Sequence, residues 1–140
     1  MKELLERFAP IKKQAADIVA KYKNEGNKGI VLGQKQQLSS FYASLASLTG
    51  QLEAMYIRAE SARKQKYWKV KREAINETTI SKAEIIAENE TKQEREEEAN
   101  IHAEYKELRW LCDGLKEVLN AMANQIKYEQ DEKWTSSQNL

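Results

Sequence analysis

The chain holds one cysteine, one histidine, one proline and five glycines in 140 residues, and each scarcity excludes something. A lone Cys112 rules out an internal disulfide. It falls at an apolar position, where a free cysteine behaves as a small hydrophobe, and this fits a reducing cytoplasm. His102 and Cys112 are ten residues apart, which on a helix is about 15 Å along the axis, so they form no local nucleophile pair. No glycine-rich loop ends in Gly-Lys-Ser or Gly-Lys-Thr, and Gly26, Gly29 and Gly33 do not make the dinucleotide fingerprint. Glu96-Glu97-Glu98 reads as a solvated helix face rather than a metal site, because facing ligands at helical spacing and histidine support are missing. The expectation is a protein that is not an enzyme and uses no cofactor and no metal. No apolar run approaches the length of a membrane span and no leader is visible at the N-terminus, so the expected location is cytoplasmic, without a membrane partner. A net charge of +1 offers no global field to nucleic acid or membrane.

What is abundant is helix-forming: Lys, Glu, Gln, Ala and Leu dominate. Apolar residues recur with alternating steps of three and four in three segments. The first is Leu4, Phe8, Ile11, Ala15, Ile18, Tyr22. The second is Leu38, Phe41, Leu45, Leu48, Leu52, Met55, Ala59, Ala62. The third is Ile101, Tyr105, Leu108, Cys112, Leu115, Leu119, Met122, Ile126. A period of 3.5 places one narrow stripe on one side of a helix, and that stripe requires a partner helix. The pattern predicts an all-α fold of three main helices, an elongated coiled-coil-like bundle that forms a homo-oligomer. Tyr105, Leu108, Cys112, Leu115, Leu119, Met122 and Ile126 are the expected oligomerisation stripe.

Three segments follow: residues 1–33, a helix and a Gly-rich loop; 34–134, a long helical hairpin or coiled-coil region; and 135–140, a polar tail. Pro10 predicts a kink or a fresh start in the first helix, and Gly26 its end. Gly29-Ile30-Val31-Leu32 is the one candidate extended piece. A helix from about Gln34 into the mid-70s would be roughly 60 Å long. Thr78, Thr79 and Ile80 are β-branched and predict a break. Ser81 with Glu84 resembles a capping box, opening a last helix from about Lys82 to the low 130s. Gly50 and Gly114 sit inside helices, either as close-approach points or as tolerated cost.

Charge is arranged in blocks. Arg58, Arg63, Lys64, Lys66, Lys69, Lys71 and Arg72 lie in a stretch with a single acid, Glu60, while residues 84–107 are strongly acidic. Tyr56, Tyr67 and Trp68 interleave with the cations. Phosphate neutralisation plus aromatic stacking is the chemistry of single-strand binding, so Arg58, Arg63, Lys64, Lys66, Tyr67, Trp68, Lys69, Lys71 and Arg72 are candidate nucleic-acid contacts. The opposing reading is a zipper: if the chain reverses near residue 79, the basic stretch faces Glu88, Glu90, Glu94, Glu96, Glu97 and Glu98, and charge serves helix pairing. Trp110, beside the third stripe, reads as core or interface, and Trp134 as an exposed contact.

The basic-aromatic run Ala62-Arg63-Lys64-Gln65-Lys66-Tyr67-Trp68, and the stretch Trp110-Leu111-Cys112-Asp113-Gly114-Leu115 about fifty residues on, resemble the UvsY family of recombination mediators of T4-type bacteriophages. The resemblance covers the C-terminal two-thirds in outline. It implies a non-enzymatic, single-stranded-DNA-binding mediator of DNA recombination that forms rings, with a recombinase and a single-strand-binding protein as partners in a host cytoplasm. It matches Arg63, Lys64 and Lys66 to strand-contacting cations and the helix from Tyr105 to Tyr128 to an assembly helix. The acidic block is heavier than the family pattern. The competing function is a coiled-coil scaffold or adaptor without nucleic-acid binding.

Overall fold

A computed structural model describes residues 1–26 and 32–138. Among them no strand occurs. The elements are α1 (Lys2–Glu25), a short 3-10 turn (Leu32–Gln34), α2 (Lys35–Ile75), α3 (Ile80–Glu90) and α4 (Lys92–Gln138). Residues 29–31 of the expected extended piece and most of the Gly-rich loop lie outside the described residues, as do the last two positions of the polar tail; Leu32, the last residue of that piece, opens the 3-10 turn.

Four helices stand where three were expected. The extra boundary is a single residue, Thr91, between α3 and α4. Thr91 is buried, and its hydroxyl donates to the Ala87 carbonyl at 2.7 Å. Such back-bonding competes with the regular ladder and bends helices. Its own N–H also returns to Ala87, while its carbonyl accepts from Arg95 N–H and begins α4. The break near residue 79 is present. Its cap, however, is Thr79, whose hydroxyl accepts from Lys82 N–H at 3.4 Å, and not the Ser81 box. Pro10 neither ends nor divides α1, which is continuous from Lys2 to Glu25. Pro10 and Glu6 are both exposed, so the carbonyl that loses its helical donor remains open to water. Gly26 ends α1 at φ 58°, with its N–H bonded to the Tyr22 carbonyl, as a C-terminal glycine should. At the other terminus α4 continues through Gln138, so the polar residues Thr135 to Gln138 are helical instead of a loose tail. Thr135 and Ser137 hydroxyls bond back to carbonyls one turn earlier.

The chain divides into two compact units. The first joins Met1–Leu48 to Leu108–Leu140; the second is Thr49–Glu107. The first unit holds α1, the start of α2 and the greater part of α4. Its core is Ala15, Val19, Leu38, Leu45, Leu48, Leu108, Leu111, Cys112, Leu115, Val118 and Met122. The spacing explains the set: the two longer stripes supply Leu38, Leu45, Leu48, Leu108, Cys112, Leu115 and Met122, and Leu111 and Val118 widen the third stripe into a band. Of the first stripe only Ala15 is fully buried, joined by Val19, with Ile11, Ile18 and Tyr22 half-buried. The shift follows from Gly114. A Cβ built there would lie 2.8 Å from Val19 Cγ1, so the missing side chain admits Val19 against α4.

The second unit holds the rest of α2, all of α3 and the start of α4. It buries Leu52, Ala83, Ala87, Thr91 and Ile101. Here α2 and α3–α4 run antiparallel: Tyr56 meets His102, Arg63 meets Glu98, Lys66 meets Glu94 and Lys71 meets Glu84.

Candidate nucleic-acid interface on α2

The basic stretch Arg58 to Arg72 is continuous helix, so its side chains distribute by the 3.6-residue turn into two sets. The first set faces α3 and α4. Arg63 Nε bonds Glu98 Oε2, with a second, longer contact from Arg63 Nη2 to Glu98 Oε1 at 3.5 Å. Lys66 Nζ bonds Glu94, and Lys71 Nζ reaches Glu84 at 3.1 Å. These three cations are partners of the acidic block. The bond with Glu98 raises the Arg63 pKa above its usual value. The bond from Lys66 holds the Glu94 carboxyl below the ordinary carboxylate value. The second oxygen of Glu94 is buried with no hydrogen-bond partner.

The second set points away from that packing. Ile57, Ser61, Lys64, Gln65, Trp68 and Arg72 follow one another at steps of one, three and four, and all are exposed; Arg58 and Lys69 are exposed on the flank of this stripe. The stripe, without Arg58 and Lys69, borders an open depression of about 610 Å³ on α2. Lys64 is bound only to Glu60, one turn earlier on the same helix, which lowers the Glu60 pKa. Arg58 Nε donates to the Ala54 carbonyl of its own helix at 3.3 Å. Among the described residues no carboxylate pairs with Arg58, Lys69 or Arg72. Trp68 is 56% exposed, with Tyr67 edge-on at 5.6 Å and Lys71 Nζ over its ring at 5.0 Å.

The zipper and the open basic face therefore coexist on one helix, and the sequence-based list of contacts divides between them. Arg63, Lys66 and Lys71 belong to helix pairing, and Tyr67 is half-buried beside Trp68. Lys64, Trp68, Lys69, Arg72 and Arg58 form the accessible part. Sequence reasoning missed the aromatic stack in which His102 lies between Tyr56, at 4.5 Å, and Tyr105, at 6.4 Å. Its signal was available, since Tyr56 and His102 face each other in the same register that pairs the charges.

The stripe expected to join copies is largely internal. Leu108, Cys112, Leu115 and Met122 are buried within the first unit, while Tyr105, Leu119 and Ile126 are half-buried. The chain's own helices cover Leu108, Cys112, Leu115 and Met122. Trp110, read as core or interface, is not in the core: it is exposed, with Lys23 Nζ 3.9 Å above its ring. Trp134 is exposed, as expected. Among the described residues no group of three His, Cys, Asp or Glu is placed to hold a metal ion, and no helix is long and apolar enough to cross a membrane.

Comparison with models of known protein families, with curated proteins and with solved structures finds no match to this chain.

Proposed function

We propose that this protein is a non-enzymatic single-stranded-DNA-binding protein of the recombination-mediator type. It acts as a homo-oligomer and presents the strand to a recombinase in competition with single-strand-binding protein. The observation that carries the reading is the outward stripe of α2. There an exposed tryptophan lies among Lys64, Lys69, Arg72 and Arg58, none of which is paired with an acid of another helix. Cations at this spacing neutralise backbone phosphates, and an open indole face stacks a base without reading its identity. One such stripe binds weakly. Several copies held together convert weak contacts into avid ones. Because the third apolar stripe is mostly internal, assembly of copies must use surface outside Leu108, Cys112, Leu115 and Met122.

Fluorescence anisotropy with labelled oligo-dT tests the reading. Neutralising about four phosphates makes affinity fall about 50-fold between about 50 and 200 mM salt. Lys69→Ala with Arg72→Ala removes most of the binding and leaves the fold intact, whereas Arg63→Ala with Lys66→Ala loosens the second unit. Native mass with and without the oligonucleotide reads the oligomer.

One observation favours a second reading, a coiled-coil scaffold or adaptor: three cations of the basic stretch are engaged by acids of α3 and α4. Flat anisotropy at low salt leaves only that reading.

A further inference from the structure

Within the second unit, α3 is inside-out. Its inner face carries the small residues Ala83 and Ala87, both fully buried, and its large apolar residues point to solvent: Ile80 is 63%, Ile85 58% and Ile86 40% exposed. Ile75, at the end of α2, adds to the same end of the unit. An amphipathic surface helix ordinarily does the reverse, and contiguous exposed apolar surface rimmed by polar groups marks an interaction site. Between α2 and α3 runs a groove of about 490 Å³, with Val70, Ala74 and Ile86 in its wall and Glu73, Glu77 and Glu90 on its rim. Among the described residues none of these three carboxylates is in an ion pair.

We infer that this groove is the docking site for a basic amphipathic helix of a partner protein. The charge of the rim decides the occupant. The apolar wall asks for leucine-like side chains at i, i+3, i+4 and i+7, the helix-in-groove mode. Three unpaired carboxylates ask for lysine or arginine flanking them and repel an acidic helix. A second copy laid symmetrically on the same surface would set Glu73, Glu77 and Glu90 against their own counterparts, since a two-fold contact places the same patch on both sides. Val70 and Ala74 each lie two residues beyond Trp68 and Arg72, which turns them about 200° around α2. The groove is therefore separate from the basic stripe, and the inference stands whether or not that stripe binds DNA.

The test titrates the full chain into a fluorescein-labelled helical peptide of about 14 residues, with leucines on one face and lysines on the other, read by anisotropy. Saturable binding is expected, with amide shifts in the nuclear magnetic resonance spectrum of the unsubstituted protein concentrated at Ile80 to Glu90. Ile86→Asn, in the groove wall, weakens binding by about tenfold or more, as loss of a central apolar anchor does. Glu73→Gln, Glu77→Gln and Glu90→Gln together weaken it and flatten its salt dependence. Glu96→Gln with Glu97→Gln leaves it unchanged. These positions are exposed, and circular dichroism verifies that the helices survive. Binding indifferent to both groove variants overturns the inference, as does equal loss in the Glu96/Glu97 control. So does a native mass that rises with concentration and drops on Ile86 substitution, because a second copy then fills the groove.

Discussion

The first unit buries Leu38, Leu45, Leu48, Leu108, Leu111, Leu115, Val118 and Met122, whereas among the described residues of the second unit the buried aliphatics beyond alanine are Leu52 and Ile101. In place of a leucine core the second unit has alanines at the helix contact, a buried threonine at a bend, an aromatic stack and three ion pairs between helices. The difference has an energetic meaning. A fully buried leucine contributes roughly 1.5–3 kcal/mol and is insensitive to salt and pH. A partly exposed ion pair contributes about 0–1 kcal/mol and weakens with both. What ion pairs do well is set register and direction, since a misaligned zipper faces like charges. One unit is built for stability, and the other is held in alignment while leaving its outer faces for other work.

Leu115→Asp should break that contrast most severely. It places an unpaired charge in the first core, at several kcal/mol, and should abolish hydrogen-exchange protection in α1; the gentler Leu115→Ala should cost about 2–5 kcal/mol in chemical denaturation.

The two helical glycines should move in opposite directions. Gly114→Ala presses a methyl onto the stiff, buried Val19, an overpacking cost of about 1–3 kcal/mol that outweighs the helix-propensity gain. Gly50 has nothing within 4 Å of a built Cβ, so Gly50→Ala should stabilise by up to about 1 kcal/mol. Melting of the two variants side by side reads the sign.

Thr91→Val removes a buried hydroxyl bond to Ala87 and should cost about 1 kcal/mol, with the loss of exchange protection confined to α3 and the start of α4.

The smallest effect is a pH dependence peculiar to the second unit. Glu94 and Glu60 are held below the ordinary carboxylate value of 4.5 by Lys66 and Lys64. A depressed folded-state pKa contributes stability that is present above the unfolded value and is lost as pH falls through the folded one. Acidification below about pH 4.5 should therefore lower exchange protection at residues 56–102 before it affects the first core. Equal loss in both units would remove the contrast.

Local features of the fold were legible in the chain. The bounds of α2, the break near residue 79, the end of α1 at Gly26 and most of the first core followed from periodicity, β-branched breaks and glycine, which act over a few residues; that the break is a reversal did not. Thr91 was not legible, because its hydroxyl competes with the helical ladder only when burial removes water as its alternative partner. Nor was the continuity through Pro10, which depends on the freed carbonyl facing solvent. Trp110 was read as core or interface from its neighbours Leu111 and Cys112; it is exposed and stacks under Lys23, so the core half of that reading does not hold.

The candidate site shows the same division. That the stretch from Arg58 to Arg72 is basic and aromatic, and that acids follow it at hairpin distance, is written in the order of residues, because net charge and helical period are properties of the chain alone. Which cations are neutralised is a matter of register between helices far apart in sequence. Only the packed second unit assigns Arg63, Lys66 and Lys71 to Glu98, Glu94 and Glu84 and leaves Trp68, Lys69 and Arg72 outside. Charge attraction acts between side chains a few ångströms apart, and that proximity is decided by tertiary packing.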